Sequence, residues 1–280
     1  MPRHARIPLS RPLRAGFITI LLAAAATLWG SGAFTSSAAA AEPPLDVHYV
    51  PTPHLVVERM LEMADVGSDD YVVDLGSGDG RIVIAAVRDY GARAGLGIDL
   101  DPQRLSEARY HARRDRVDDR VTFEQGDLFL KDFSDATVLT LYLLPSLNLR
   151  LKPIILERMA PGTRVVSHAF HMGDWAPDRH DIVDGRNVYL WIVPAHVAGQ
   201  WRLQTADGSE TALALNQRFQ HIDGSATVDG AQVALGEATL RGAEIRFSIG
   251  SDRYVGRVEG DTITAVPQPG TVPRWHARRD

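Results

Sequence analysis

The run Asp74-Leu75-Gly76-Ser77-Gly78-Asp79-Gly80 constrains this chain more than any other feature. It overlaps the end of an apolar segment, Tyr71-Val72-Val73-Asp74-Leu75, that reads as a strand covered on both faces, and it leads into a helical pattern from Arg81 to Tyr90. Glycines at alternate positions let the backbone turn sharply and pass close to a ligand, because glycine reaches left-handed dihedrals with no side chain in the way. The spacing is Gly-x-Gly-x-Gly, so it is neither the Gly-x-Gly-x-x-Gly of dinucleotide sites nor a P-loop ending in Gly-Lys-Ser/Thr. A Gly-x-Ser-x-Gly nucleophile elbow is also absent.

The surrounding pattern alternates strand and helix. A helix is expected from His54 to Ala64, with Leu55, Leu61 and Ala64 sharing a buried face. Strands are expected over 95–100, 121–125, 136–143, 162–168 and 187–193, with helices over 102–114 and 147–159 between them. Such alternation implies an α/β fold with a doubly wound, Rossmann-like parallel sheet covered by helices on both faces. Beyond Pro194 no helix-length amphipathic segment remains, and turn pairs such as Asp207-Gly208 and Asp229-Gly230 separate short strand-like runs. This texture predicts a small antiparallel β domain, a meander rolled into a barrel or laid on the first domain. The expected organisation is a leader over 1–41, the α/β domain over 42–194, the β domain over 195–266 and a loosely ordered tail over 267–280. Trp201, Phe219, Phe247 and Tyr254 are expected in the β-domain core, a docking surface being the other use for such aromatics.

Three acids fall at successive predicted strand ends. Asp74 stands directly before the glycine turn, where it repels a pyrophosphate but suits a ligand carrying an ammonium and a sulfonium. Asp99 follows Gly76 by 23 positions and matches a carboxylate that chelates ribose hydroxyls, while Asp101 is placed to cap the helix at Pro102. Asp127, in Gly126-Asp127-Leu128, is placed to accept a hydrogen bond from an adenine amino group, with Leu128 covering the ring. These chemical demands together describe S-adenosylmethionine.

In order and spacing the three elements resemble the cofactor motifs of class I methyltransferases over about half the chain. More narrowly, Tyr49-Val50-Pro51-Thr52-Pro53 and the run from Asp74 to Ala86 are similar to the family that includes the ATP synthase c-subunit lysine N-methyltransferase. The resemblance implies that Tyr49, Val50 and Thr52 close over the cofactor and that Asp74, Gly76 and Gly78 bound it below. It further implies that Asp99 and Asp127 hold ribose and adenine, with Ser77, Leu100 and Leu128 completing the contacts. Protein lysine is the acceptor it implies. Two departures leave that acceptor open: Asp99 stands where the family usually has glutamate, and the fourth strand ends in Leu141-Tyr142-Leu143-Leu144-Pro145. A small-molecule acceptor, or a binding protein that has kept the fold and lost transfer, are the other expectations.

Methyl transfer from a sulfonium is an in-line displacement in which orientation supplies much of the catalysis. Tyr142, at the expected tip of the fourth strand, is the candidate to orient an amine through its hydroxyl, or else simply a crevice-lining aromatic. His168, His171, Asp174 and Trp175, in the loop expected after the fifth strand, lack a tight ligand motif, so no metal is expected and solvated-loop or substrate contacts are their reading.

The N-terminus carries Arg3, Arg6, Arg11 and Arg14 before the apolar run Ala15 to Trp29, then Ala-x-Ala sequences before Glu42, the pattern of an export signal. The expectation is therefore a periplasmic or extracellular protein, without stable membrane insertion if the signal is cleaved and membrane-anchored if it is not. Loss of residues 1–41 takes the formal charge from −5 to −9, which disfavours nucleic acid as a partner. The chain has no cysteine, which excludes disulfides and thiolate chemistry.

Overall fold

The computed structural model describes residues 49–280. The expected export signal and the leader boundary lie outside the described residues. Among the described residues no helix is long and apolar enough to cross a membrane.

The first sheet is built from β1 (Tyr71–Leu75), β2 (Ala94–Asp99), β3 (Val121–Gln125), β4 (Val138–Leu141), β5 (Arg164–His168), β6 (Arg179–Val183) and β7 (Arg186–Ile192). Their order across the sheet is β3-β2-β1-β4-β5-β7-β6. The first five strands run parallel, while β7 is antiparallel to β5 and β6 pairs with it as a hairpin. The chain winds outward from β1 to β3 and then crosses back to β4, so the carboxyl ends of β1 and β4 flank the switch point where doubly wound sheets bind ligands.

Four helices cover the sheet: α1 (His54–Met63), α2 (Arg81–Asp89), α3 (Pro102–Arg114) and α4 (Pro145–Arg158). Asp101 caps α3, accepting from the backbone N–H groups of Gln103 at 2.8 Å and Arg104 at 3.4 Å, with Pro102 at the first helical position. One apolar cluster lies between the sheet and α1, α2 and α3; a second joins Leu75, Leu139 and Leu141 to α4, Trp175 and Trp191 on the other face. Leu61 and Ala64 are buried as expected, but Leu55 is 60% exposed. Val56, Val57 and Met60 fill the face of α1 that meets the sheet instead, because at helical spacing Leu55 falls on the side opposite Ala64. β6 went unforeseen: Arg179-His180-Asp181-Ile182-Val183 is an edge strand without an apolar face, so its sequence shows no strand signal.

The second sheet comprises β8 (Gly199–Thr205), β9 (Glu210–Arg218), β10 (His221–Val228), β11 (Ala231–Ala234), β12 (Gly236–Arg241), β13 (Glu244–Ile249), β14 (Asp252–Glu259), β15 (Thr262–Ala265) and β16 (Trp275–Arg279). Every pairing in it is antiparallel. β11 and β12 are one run of chain broken at Leu235; the first half pairs with β10 and the second with β13, while β16 pairs with β8. The sheet thereby rolls into a barrel. Trp201, Leu203, Leu213, Ile245, Phe247, Tyr254 and Trp275 pack in its core. Phe219 is the exception among the expected core aromatics, because it packs against the cluster of the first sheet instead.

The tail expected to be loose is also corrected. Trp275 and Ala277 point into the barrel while His276 and Arg278 face outward, an alternation too short and too charged to stand out in the sequence. Arg279 fastens this last strand, donating to the carbonyls of His196 and Ala198 and lying 4.4 Å from the centre of the Trp201 ring.

Candidate active site

A crevice of about 480 Å³ opens at the carboxyl ends of β1 to β4, within the range of small-ligand sites. Asp74, Gly76 and Ser77 come to it from the end of β1 and the following turn, Asp99 and Leu100 from the end of β2, and Asp127 and Leu128 from the loop after β3. Tyr142 enters after β4, and Tyr49, Val50 and Thr52 lie along it from the segment before α1. Gly78 alone among the expected residues does not line it. Its role is one of fit: a side chain there would reach within 2.3 Å of the Tyr49 ring, and φ is +52°.

The acids differ in environment. Asp99 is half-buried, and its carboxylate accepts from the backbone N–H of Gly78 at 2.8 Å and of Asp101 at 2.9 Å, one bond to each oxygen. It thus ties the glycine turn to the β2–α3 loop while keeping lone pairs for a ligand. Asp127 accepts from the Phe129 N–H at 2.9 Å. Asp74 is 2% exposed, and burial pushes its carboxyl up to about 7, against the Thr140 hydroxyl that donates to it at 2.7 Å and with the fields of Asp99 and Asp79 adding to the rise. Sequence reasoning passed over Thr140, although a threonine within Val138-Leu139-Thr140-Leu141, opposite Asp74 in register, was a readable signal.

Two arginines were also missed. Arg81 donates to Asp79 through Nε and Nη2 and to the Thr52 carbonyl through Nη1 at 2.8 Å, so it binds the segment before α1 to the glycine turn. Arg104 lies with its guanidinium 4.4 Å from the centre of the Tyr49 ring. Arg81 is neutralised by Asp79, and Arg104 faces Asp101 and Glu107. Among the described residues no basic side chain pairs with Asp74, Asp99 or Asp127, so acids outnumber bases along the crevice.

The far end is different in kind. Tyr142, Leu143, Leu144, Leu147 and Phe170 line it, and the Tyr142 and Phe170 rings stack with centres 6.4 Å apart. His168, fully inside, stacks on Tyr142 at 3.9 Å between centres and shares a hydrogen bond of 3.2 Å with the Thr52 hydroxyl. Burial, with the field of Arg186, pushes His168 down to about 4, so it is neutral near pH 7. His171 accepts from the Gly173 N–H and Asp174 pairs with Lys152, which makes both loop residues as expected. The backbone turns at Ala169 with φ +68°, a left-handed conformation costly for a residue with a side chain and held where β5 delivers the loop to the crevice.

The donor set fits S-adenosylmethionine: unpaired carboxylates for its cationic end and ribose, no phosphate-binding cluster, and a cradle at Gly76 where a Cβ would stand 2.8 Å from Leu143. The buried Ser77 hydroxyl, which has no hydrogen-bond partner among the described residues, adds a polar group beside this turn.

The ANTKMT methyltransferase domain model matches residues 74–179, from Asp74 to the start of β6. A protein-lysine N-methyltransferase of Saccharolobus islandicus is 42% identical over 154 residues, 54% of this chain and 96% of that protein. The chain belongs to the ANTKMT methyltransferase family. The mouse adenine nucleotide translocase lysine N-methyltransferase is 32% identical over 196 residues, 68% of this methyltransferase and 83% of the mouse protein. Among solved structures, one described as an RNA methyltransferase from Salinibacter ruber, in complex with S-adenosyl-L-homocysteine, is 56% identical with a TM-score of 0.52. It covers 53% of this chain and 96% of that one. The methyltransferase is therefore an S-adenosylmethionine-dependent enzyme with a Rossmann-like domain.

The two aspartates that compete at the end of β2 separate by experiment. Asp101→Ala, which removes the α3 cap and a 3.8 Å pairing with Arg104 at the crevice rim, is expected to cost about 1 kcal/mol of stability, read by urea unfolding. It should change cofactor affinity by less than about threefold in calorimetry. A loss of affinity as large as that of an Asp99 variant would show that Asp101 also holds the ligand.

Proposed function

We propose that the methyltransferase transfers methyl groups to the side-chain amine of protein lysines, with Asp99 holding the ribose of the cofactor, Asp127 its adenine and Asp74 its amino-acid end. The observation that carries this reading is the polarity change along the crevice, from unpaired carboxylates at one end to Tyr142, Phe170, Leu144 and Leu147 at the other. The names of the Saccharolobus and mouse relatives support it.

When bound, S-adenosylmethionine supplies a methyl group activated on a positive sulfur, open to in-line attack. The apolar end accommodates the alkyl stem of a lysine and favours its neutral amine, since desolvation lowers an ammonium pKa and frees the lone pair that must attack. In this reading the Tyr142 hydroxyl accepts a hydrogen bond from that amine and fixes its approach. Neutral His168 backs the Tyr142 ring and places no competing charge beside the amine. Tyr142→Phe is expected to lower kcat about tenfold with cofactor affinity unchanged, since orientation is lost and binding is not.

The acceptor class is tested with tritiated S-adenosylmethionine and three acceptors: poly-L-lysine, poly-L-arginine and total RNA. The Salinibacter description makes the last arm necessary. Label in poly-L-lysine, recovered as methylated lysine after hydrolysis, supports the proposal; label in RNA alone rejects it.

A further inference from the structure

The barrel lies wholly outside residues 74–179, the stretch that the family model matches. In this chain it does not hang free of the site.

The two-residue turn between β9 and β10, Phe219-Gln220, leaves the barrel and enters the other domain. Three consecutive residues of the hairpin meet three consecutive residues of the loop after β5. Arg218 pairs with Asp174 at 3.4 Å. Phe219 stacks on Trp175 with ring centres 6.1 Å apart and has the Lys152 ammonium 5.6 Å from its centre. Gln220 uses both ends of its amide: Oε1 accepts from the Trp175 indole at 3.1 Å, and Nε2 donates to the Ala176 carbonyl at 2.7 Å. Tight hairpin turns of this length favour glycine or asparagine, yet Phe219 is held at φ +55°. Its ring is placed for the loop at the expense of the turn.

The same loop forms the crevice wall. Phe170, at its start, lines the crevice beside Tyr142, and its carbonyl accepts from Asn148 of α4 at 3.2 Å. Trp175, at its far end, is fully buried, and its carbonyl accepts from the Trp191 indole at 2.8 Å. The start of the loop is therefore held by α4, and its 174–176 stretch jointly by Lys152 of α4, Trp191 of β7 and the barrel.

The geometry points to the β9–β10 turn as a positioning device: Phe219 and Gln220, reaching from the barrel through Trp175, set the wall against which the acceptor lies. This rests on the reading that the Tyr142–Phe170 end receives the acceptor. Both side chains act through the loop and touch no reacting atom.

The full chain with Phe219→Gly and with Gln220→Ala tests it. Glycine suits the left-handed turn, so Phe219→Gly should leave the barrel as stable as before or more so, and a purely structural turn would then show no loss. Hydrogen exchange is expected to accelerate about tenfold at residues 170–177 and not in β8 to β16. Affinity for S-adenosylhomocysteine should stay within about twofold, and KM for poly-L-lysine should rise about fivefold with kcat changed less. Unchanged exchange at 170–177 in both variants overturns the proposal, as does unchanged KM in an enzyme whose loop has loosened. If the unaltered protein methylates no poly-L-lysine, the lysine reading fails by itself, and exchange at 170–177 alone decides the role of the turn.

Discussion

Asp99→Ala is expected to weaken S-adenosylmethionine binding by about a hundredfold, roughly 2.7 kcal/mol, in a calorimetric titration of residues 42–280. Two losses combine. The carboxylate proposed to chelate the ribose disappears, and the backbone N–H groups of Gly78 and Asp101 lose their acceptor, so the glycine turn and the β2–α3 loop are no longer tied together. Asp99→Asn separates the two effects, because one amide oxygen serves one N–H while the charge is gone. Affinity unchanged in Asp99→Ala would remove this residue from the cofactor site.

The second large effect is one of pH. Burial pushes the Asp74 carboxyl up to about 7 in the folded protein from 3.8 when exposed, so between about pH 4 and 7 the ligand-free site holds a proton that the unfolded chain has lost. A raised carboxyl contributes stability that is full below the unfolded value and is lost as pH rises through the folded one. The ligand-free protein should therefore lose this contribution progressively between pH 4 and about 7. Cofactor binding runs the other way. A cation beside Asp74 favours the ionised form, so binding expels the proton, and affinity should fall up to about tenfold for each pH unit below 7 while levelling above it. Asp74→Asn is expected to flatten that dependence and to bind more weakly at pH 8. A dissociation constant that does not move between pH 5.5 and 8 in the unaltered protein would exclude a protonated Asp74.

Much of this site was legible because its signals are local. The glycine turn, the acids at strand ends and the cap at Asp101 each need only a few neighbouring residues, and the structure brings Asp74, Asp99 and Asp127 to one crevice. The residues that were missed work over distance. Arg81 reaches back to the Thr52 carbonyl, and Thr140 meets Asp74 only through the crossover that sets β4 beside β1. β6 escaped because an exposed edge needs no apolar face, and β16 because two inward residues make no pattern. Phe219 shows the same limit most clearly. Its sequence neighbours place it in a barrel strand, and only the packing of one domain on the other gives its ring a different home.

Barrel closure by the last strand has a consequence in time. β8 finds its second neighbour only in β16, some seventy residues later, so the barrel cannot close until β16 has been made. The α/β domain precedes it and holds every residue that lines the crevice. A nascent chain therefore holds the residues of the crevice before the barrel, whose β9–β10 turn is proposed to set the acceptor wall, has closed. Synthesis of β16 is, in this arrangement, the step that completes the barrel.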